Sequence, residues 1–151
     1  MSTLLESAAK EGFDLAVIDT GPAADAAVRR SAELAHLCLV PCRPSAFDLR
    51  AIRTTLDLVE TTRTPAFVVL NAAPIRSRAV DEARDVVIGM GGKVAPVIVS
   101  HRAAFGHSVI AGKTAQEFEP DGRAAEEIAS LWAWASRELK LPVKPLKPVA
   151  V

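Results

Sequence analysis

The stretch Phe13-Asp14-Leu15-Ala16-Val17-Ile18-Asp19-Thr20-Gly21-Pro22 decides how the rest of the chain is interpreted. Its apolar residues, Leu15 to Ile18, are followed by an aspartate and a Thr-Gly-Pro turn. An uninterrupted apolar run of this kind is typical of a parallel strand that is buried on both faces. In α/β folds such a strand ends at the carboxyl edge of the sheet, where ligands bind. The stretch therefore predicts a buried strand over Leu15–Asp19 that presents the Asp19 carboxylate at a ligand site.

The composition is that of an ordinary globular domain. The chain has 151 residues, of which 50% are hydrophobic and 24% charged, and its 18 basic residues balance 18 acidic ones. A balanced charge provides no general attraction to nucleic acid or to a membrane surface, although a local basic patch remains open. No apolar run approaches the roughly 20 residues that span a bilayer, and the N-terminus lacks the pattern of a signal peptide. We therefore expect a cytoplasmic protein without a membrane partner.

Apolar runs and helical patterns alternate along the chain. The runs typical of buried strands are Leu15–Asp19, Leu37–Pro41, Ala66–Asn71 and Val94–Ser100. The helical patterns are Ala24–Ala35, Ser45–Glu60, Arg78–Met90, Ala103–Ile110 and a last helix from its cap Asp121 to about Lys140. Ser45 and Asp48 have the spacing of a capping box. This alternation predicts an α/β fold of three layers, with a mostly parallel sheet and helices on both of its faces.

The last helical pattern and the residues after it set the domain organisation. After Lys140, three prolines in the remaining eleven residues exclude a helix. We therefore expect one α/β domain over residues 1–140 and an extended tail rich in proline and lysine over residues 141–151. The residues of the last helix that we expect to face inward are Ile128, Leu131, Trp132, Ala135 and Leu139. Trp134 lies outside this stripe and either contacts a partner or covers the helix edge.

Several kinds of catalytic or metal site are not supported by the sequence. Cys38 and Cys42 form one C-x-x-x-C pair and are interpreted as buried or half-buried free thiols, with a disulfide or metal ligation as the alternatives. The three histidines are scattered, whereas a metal site needs three or four convergent ligands. No G-x-S-x-G nucleophile elbow and no G-x-G-x-x-G fingerprint occurs. These absences argue against a serine hydrolase and a dinucleotide-binding enzyme.

The segment Gly106–Thr114 ends in Gly-Lys-Thr and imitates a phosphate-binding loop. Five residues separate its two glycines, whereas the P-loop has four. The segment is therefore interpreted as a link between two helices.

Five motifs in order resemble the ParA/MinD-type P-loop ATPases, the family with a deviant Walker A loop. The opening stretch resembles the Walker B strand of that family, usually D-x-x-x-x-D-T-P-P, with Gly21 in place of the first proline. The other four resemble the L-V-P-x-x-P-S-x-x-D-L segment, the strand that ends in Asn, the R-x-x-(Y/F) segment with its G-x-S-V turn, and the K-A-A-x-E-I helix. They lie at Leu37–Leu49, Phe67–Asn71, Arg102–Val109 and Glu119–Ile128. The resemblance covers about residues 13–140 and implies a P-loop NTPase-like fold that is truncated at its N-terminus.

The resemblance assigns the phosphate side of a nucleotide site to the opening stretch. It places Asp19 in the shell of a Mg²⁺ ion through a water molecule. Thr20, Gly21 and Pro22 become the switch segment that senses the γ-phosphate of ATP. The simpler interpretation of Asp19 is a cap for the helix that follows it.

The resemblance assigns the base side of the same site to three residues that lie further along the chain. Asn71 is expected to contact the adenine of ATP, and Ser100 and Arg102 are expected to line the base pocket. The simpler interpretation of Asn71 is a turn residue at the end of a strand.

The glycine-rich phosphate loop of the family, G-G-x-G-K-T, does not occur in the 151 residues. In the family its backbone N–H groups hold phosphates and its lysines neutralise the charge of the transferring phosphoryl group. We therefore expect a ParA-like partition or positioning ATPase homologue, concerned with plasmid or chromosome segregation, that does not hydrolyse ATP as this chain alone. ATP and Mg²⁺ are implied by the resemblance only. The alternative is a non-enzymatic partner-binding or dimerisation module derived from the same fold.

The absent phosphate-loop strand leaves a gap in the expected sheet. The strands Leu15–Asp19 and Leu37–Pro41 would lie about 10 Å apart, two strand spacings. Each polar group orphaned in such a gap costs about 1–3 kcal/mol. The two strands can pair directly, a second chain can complete the sheet, or residues 1–12 can fill the gap. We favour direct pairing, with dimerisation over the exposed apolar surface.

The expected partners follow from the resemblance and from the arginines. They are a second copy of the chain, a partition partner protein and nonspecific DNA. Solvated helix faces, balanced by Asp and Glu, are the favoured alternative to a DNA-facing patch. The arginines in question are Arg29, Arg30, Arg43, Arg50, Arg53, Arg76, Arg78 and Arg102.

Overall fold

The computed structural model describes residues 1–21 and 25–141. Two strands, β1 (Cys38–Cys42) and β2 (Ala66–Leu70), pair in parallel with Cys38 opposite Ala66. The structure is therefore mixed α/β, with a small parallel sheet. The helices of the described residues are α1 (Ser2–Lys10), α2 (Ala26–Leu34), α3 (Ala46–Thr62), α4 (Ala79–Gly89), α5 (Ala103–Ile110), α6 (Ala115–Phe118) and α7 (Arg123–Glu138).

Three earlier expectations fall outside the described residues. They are the role of Pro22 in the switch segment, the start of a helix at Ala24, and the extended conformation of the tail, whose residues 142–151 are not described.

The unit from β1 through α3 to β2 forms as the sequence predicts. The Asp48 N–H donates to Ser45 Oγ at 3.2 Å, and the Ser45 hydroxyl donates to the Asp48 carboxylate. The predicted cap is thus confirmed, and α3 begins directly after it. Leu49, Ile52 and Val59 of α3 are buried, and their spacing places them on one face of the helix.

Helices cover both faces of the sheet. Val68 and Leu70 are each 0% exposed and pack in a cluster with residues of α3 and α4. Val69 belongs to a second cluster that includes Trp134 of α7. Successive residues of a strand point to opposite faces, so α3 and α4 cover one face and α7 the other. Phe67 meets Trp134 edge to face, with ring centroids 5.0 Å apart.

The segment Val94–Ser100 runs parallel to β2 but is not a regular strand. The Ala95 N–H donates to the Val68 carbonyl at 2.8 Å, and the Val99 N–H donates to the Leu70 carbonyl at 2.9 Å. Four residue steps of this segment therefore match two steps of β2, and the two extra residues lie in the stretch that contains Pro96, which has no N–H to donate. The predicted third strand is correct in position, but it makes isolated bridges in place of a ladder.

The predicted strand Leu15–Asp19 does not form. The segment has no regular structure, and Val17 is 86% exposed. Within the described residues β1 pairs with β2 alone, so the favoured direct pairing of Leu15–Asp19 with β1 is wrong. One physical reason is Pro41: Cys38 and Cys42 bond toward β2, so Pro41 faces the open edge and has no N–H to offer there.

Residues 1–12 do not fill the gap in the sheet either. Most of them form the helix α1, which the sequence analysis did not predict and which has no buried residue. The short helix α6 was not predicted either.

Two expectations about the last helix are wrong. The N-cap of α7 is Gly122, not Asp121. Trp134 is only 6% exposed, whereas Trp132 is half-buried. Because residues two apart on a helix point in nearly opposite directions, only one of the two tryptophans can lie at the centre of the packed face. The ring of Phe67 makes Trp134 that residue.

The cysteines are free thiols, as the sequence predicts. Cys42 is buried and Cys38 is half-buried. Burial, and secondarily the negative charge of Asp48, raises the pKa of the Cys42 thiol to about 11. Burial also raises the pKa of Cys38.

None of the helices in the described ranges combines the length and the apolar character that crossing a bilayer requires.

Candidate functional site at the end of the parallel sheet

A cleft of about 460 Å³ opens where β2 and the bulged segment after it end. The two chain segments are joined there by the Ala73 N–H, which donates to the Val99 carbonyl at 3.1 Å, and by the His101 N–H, which donates to the Ala73 carbonyl at 2.8 Å. The cleft thus lies at the carboxyl end of the parallel strands, where α/β folds bind ligands. Its walls are formed by Asn71, Ala72, Val99, Ser100, His101, Arg102, Phe105, Gly106 and Ile128.

Asn71 serves both as a turn residue and as part of the cleft wall. Its N–H donates to the Cys42 carbonyl at 2.8 Å, which continues the β1–β2 ladder by one residue. Its Oδ1 accepts a hydrogen bond from the Ala72 N–H at 2.9 Å, and Ala72 has a left-handed φ of 48°. The carboxamide oxygen is therefore used by the turn, and the NH₂ group is the part of Asn71 that can donate to a ligand.

Ser100 and Arg102 are held by one carboxylate, that of Glu127 on α7. Glu127 Oε2 accepts from the Ser100 N–H at 3.0 Å, and Oε1 accepts from the Ser100 hydroxyl at 2.8 Å. Oε1 also accepts from Arg102 Nε at 3.1 Å and from Nη2 at 2.7 Å. The side chains of Arg102 and Glu127 are 24% and 17% exposed. This network ties α7 to the end of the sheet.

The charges in the network stabilise one another. Burial raises the pKa of Glu127, but hydrogen bonds from Arg102 and Ser100 outweigh that effect and hold the pKa below its ordinary value of 4.5. The hydrogen bond from Arg102 to Glu127 in turn raises the pKa of Arg102. Both groups are therefore charged at neutral pH.

Sequence reasoning did not single out Glu127. A signal was nevertheless present, because Glu127 shares a helix face with Ala124 and Trp134, which lie three residues before and seven residues after it. Both of those residues are buried. A glutamate in phase with a buried face needs a partner, whereas its neighbour Glu126 pairs with Arg123 at the exposed surface.

The phosphate side of the expected site is not assembled with the cleft. Asp19, Thr20 and Gly21 are exposed and lie on the irregular segment that replaces the predicted strand. The residues that line the cleft do not include them. Within residues 1–21 and 25–141 no group of three or more His, Cys, Asp or Glu side chains could hold a metal ion. Of the residues assigned to Mg²⁺ and nucleotide, only Asn71, Ser100 and Arg102 come together.

The Gly-Lys-Thr sequence that imitates a phosphate loop links two helices, as expected. Thr114 is the N-cap of α6 and forms a capping box with Glu117. The Thr114 N–H donates to the Glu117 carboxylate at 2.8 Å. Its backbone is therefore used by the helix end, not by an anion.

Half of the arginines considered for DNA contact are in ion pairs. Arg29 and Arg30 pair with Glu33, and Arg53 pairs with Asp57, all at exposed positions. Arg102 is held by Glu127. The three exposed pairs agree with solvated helix faces.

A second cleft, of about 370 Å³, lies between α3 and α4 and contains none of the residues that were assigned to the nucleotide site. It is lined by Pro44, Ser45, Ala46, Leu49, Arg50, Ala79, Glu82, Ala83, Val86 and Met90.

Comparison with known proteins supports a relationship to ParA-like proteins and nothing finer. No family model matches the chain. The chain is 30% identical over 129 residues to Maintenance of carboxysome distribution protein A of Halothiobacillus neapolitanus (strain ATCC 23641 / c2). The match covers 80% of this chain and 59% of that protein. The chain thus spans less than two thirds of the relative's length.

Proposed function

We propose that this chain carries the base-binding half of a ParA-like nucleotide site and acts in the partition or positioning of a cellular cargo. The observation that carries the proposal is the single cleft into which Asn71, Ser100 and Arg102 converge. Asn71 follows β2, whereas Ser100 and Arg102 lie at and just after the end of the bulged segment. The resemblance assigned all three residues to the nucleotide base. The relative is named for the distribution of carboxysomes, and we extend to this chain only the general role of positioning.

The chemistry of the cleft supports a base more than a phosphate. Phe105 and Ile128 supply apolar surface, and Gly106 leaves room beside them, because a Cβ at that position would meet no heavy atom within 4 Å. The Asn71 NH₂ group can donate to a ring nitrogen. A planar heteroaromatic ring suits such a site, since small-molecule clefts are mostly apolar with few polar groups that fix orientation.

The phosphate half of the site is proposed to form only when Leu15–Asp19, which is irregular in this structure, adopts a strand conformation. Asp19 would then hold Mg²⁺ through water, and Thr20, Gly21 and Pro22 would act as the switch. The open edge of β1 pairs with no strand among the described residues. Only a strand that tolerates the missing N–H of Pro41 at that edge could add there and bring these residues near the phosphates. As this chain alone, the protein is proposed to bind a nucleotide weakly and not to hydrolyse ATP, because its 151 residues contain no G-G-x-G-K-T loop.

Titration with adenosine and with Mg-ATP tests this proposal. Adenosine should shift the backbone NMR signals of Asn71, Ser100 and Arg102, with a dissociation constant on the order of 1 mM, about 4 kcal/mol of binding. Asn71→Ala should weaken binding, while Gln116→Ala, a carboxamide on α6 away from the cleft, should not. Mg-ATP should release no phosphate.

Three results would count against the base-binding half. They are the absence of any shift at millimolar adenosine, shifts confined to other surfaces, and equal binding by the Asn71→Ala variant. Steady phosphate release that Asp19→Ala abolishes would instead show that the chain alone has a working ATPase site.

The second candidate function is a non-enzymatic partner-binding or dimerisation module. The observation that favours it is the exposed apolar segment, in which Phe13 is 65% and Val17 is 86% exposed. A homodimer, a partition partner protein and nonspecific DNA are the proposed partners. If the molecular mass from light scattering is that of a dimer, Val17→Asp should convert it to a monomer, whereas Val109→Asp at another exposed position (76%) should not.

A further inference from the structure

We propose that Glu127 is the positioning residue of the cleft: by binding Arg102 and Ser100 together, it makes the cleft accept a neutral planar ring and reject an anion. The inference rests on the proposed function, because it deepens the account of the same cleft. It assigns to Glu127 a role in ligand selection in addition to the packing of α7.

Both oxygens of the Glu127 carboxylate accept hydrogen bonds, and Oε1 accepts most of them. The two Glu127 oxygens accept four hydrogen bonds, at 3.0 and 2.8 Å from Ser100 and at 3.1 and 2.7 Å from Arg102. Two of these come from Arg102 Nε and Nη2, so the guanidinium is held edge-on against Glu127. An arginine held in this way has a restricted orientation and a compensated charge.

The compensated charge decides which ligand fits. Arg102 is the one lysine or arginine among the residues that line the cleft in the described part of the chain. Glu127 occupies the Nε and Nη2 donors of this guanidinium at 3.1 and 2.7 Å. An anion could therefore reach only the remaining N–H groups of Arg102, against a charge that Glu127 already compensates. An anion that displaced Glu127, 17% exposed, would leave a carboxylate without its cation at a largely desolvated position, which is costly. A neutral ring meets neither obstacle.

The same carboxylate also sets the shape of the cleft. It holds the backbone of Ser100, at the end of the bulged segment, to α7, whose next residue, Ile128, also lines the cleft. The hydrogen bond to the Ser100 N–H therefore fixes the distance between these two lining elements. A ring that must fit between them depends on that distance, since small misplacements lower affinity.

The test compares two probes, adenosine and sulfate, on matched variants at constant ionic strength. Glu127→Gln removes the negative charge with little change of size and should weaken adenosine binding about tenfold, the effect of one charge-assisted hydrogen bond. The released Arg102 should then bind sulfate, seen as shifts of its guanidinium signals that the wild type lacks. Arg102→Gln combined with Glu127→Gln should abolish the sulfate binding. Glu126→Gln, on the same helix but exposed, should behave as wild type.

A merely structural role for Glu127 would lower stability without producing a new anion site. If Glu127→Gln folds, binds adenosine as the wild type does and gains no sulfate binding, the inference is wrong. If Glu127→Gln does not fold, Glu127→Asp keeps the charge but cannot reach both partners, and it should weaken adenosine binding in the same direction; unchanged binding would overturn the inference. If the wild type binds no adenosine, the proposed base-binding function is wrong. If the wild type binds adenosine and the Glu127 variant binds it equally well without gaining sulfate binding, only the inference about Glu127 is wrong.

Discussion

Two apolar runs of similar composition, Leu15–Ile18 and Ala66–Leu70, lie in opposite environments. In the second run Val68 is 0% exposed, and in the first Val17 is 86% exposed. Both runs are short, apolar and free of alternation, so a pattern-based prediction treats them alike. The structure separates the chain into an N-terminal region of residues 1–21, which adds nothing to the sheet, and a packed body that begins at α2.

The difference arises from neighbours, not from the runs themselves. β2 has β1 on one side and the bulged segment Val94–Ser100 on the other, and helices cover both of its faces. The run Leu15–Ile18 has no strand beside it among the described residues. A strand needs partners on its edges for hydrogen bonds and on its faces for burial, so its burial is a property of the assembled sheet.

The largest expected effect comes from a matched pair of valines. Val68→Ala removes two methyl groups from a fully buried position and should lower the free energy of unfolding by about 2–3 kcal/mol. Val17→Ala should change it by less than about 0.5 kcal/mol, as exposed positions do. Urea denaturation, followed by circular dichroism, measures both.

Equal losses of unfolding free energy in Val68→Ala and Val17→Ala would mean that the two apolar runs are equally buried. They would show that Leu15–Ile18 is packed in solution, either against β1 or in an assembly.

The next effect compares two glutamates that each bind arginine: Glu127, which is mostly buried, and Glu33, which is exposed. Glu127→Gln should cost about 1–3 kcal/mol at pH 7, because it weakens hydrogen bonds between charged groups at a mostly buried site. The folded-state pKa of Glu127 is lowered, so its contribution is present above the ordinary carboxyl value and is lost as the pH falls through the lowered pKa. The urea stability of the variant should therefore depend less on pH in the acid range than that of the wild type.

The matched control for Glu127 is Glu33, whose pKa is lowered by hydrogen bonds from Arg30 and Arg29. That pair is exposed and solvent screens it, so Glu33→Gln should leave the unfolding midpoint unchanged. If both variants changed the pH dependence of stability in the acid range by the same amount, burial would not explain the difference expected between Glu127 and Glu33.

The smallest effect locates the boundary between the regions. Asp25 caps α2 by accepting from the Ala27 and Val28 N–H groups at 2.9 and 3.0 Å. α2 is joined to the body, because the Thr64 hydroxyl donates to the Ala32 carbonyl at 2.7 Å. Asp25→Ala should therefore lower global stability by about 1 kcal/mol, as should Ser45→Ala at the cap of α3. A loss for Ser45→Ala alone would place α2 outside the cooperative unit.

Much of the body could be predicted because its signals are local. β1, β2, α3, α4 and α5 agree with their predicted bounds to within one or two residues. A cap such as Ser45 and a stripe such as that of α3 act over a few residues and are read directly from spacing. Trp134 was misjudged because the choice between two tryptophans depends on Phe67, which lies far away in the sequence.

The candidate site was only half accessible to sequence reasoning. Asn71, Ser100 and Arg102 were grouped through motif resemblance, and they do line one cleft. Asp19 was grouped with them, but it lies on an exposed segment and does not line that cleft. Glu127, which organises the cleft, was missed because its partners are 27 and 25 residues earlier in the chain.

Local pattern was sufficient for the kind of element at most positions, for the cap of α3 and for the free thiols. It could not decide whether Leu15–Ile18 is a buried strand, which tryptophan packs on the sheet, or that one glutamate holds the cleft together. These features depend on groups distant in the sequence: an apolar run becomes a buried strand only beside another strand, and a charged side chain becomes buried only where the fold supplies its partners.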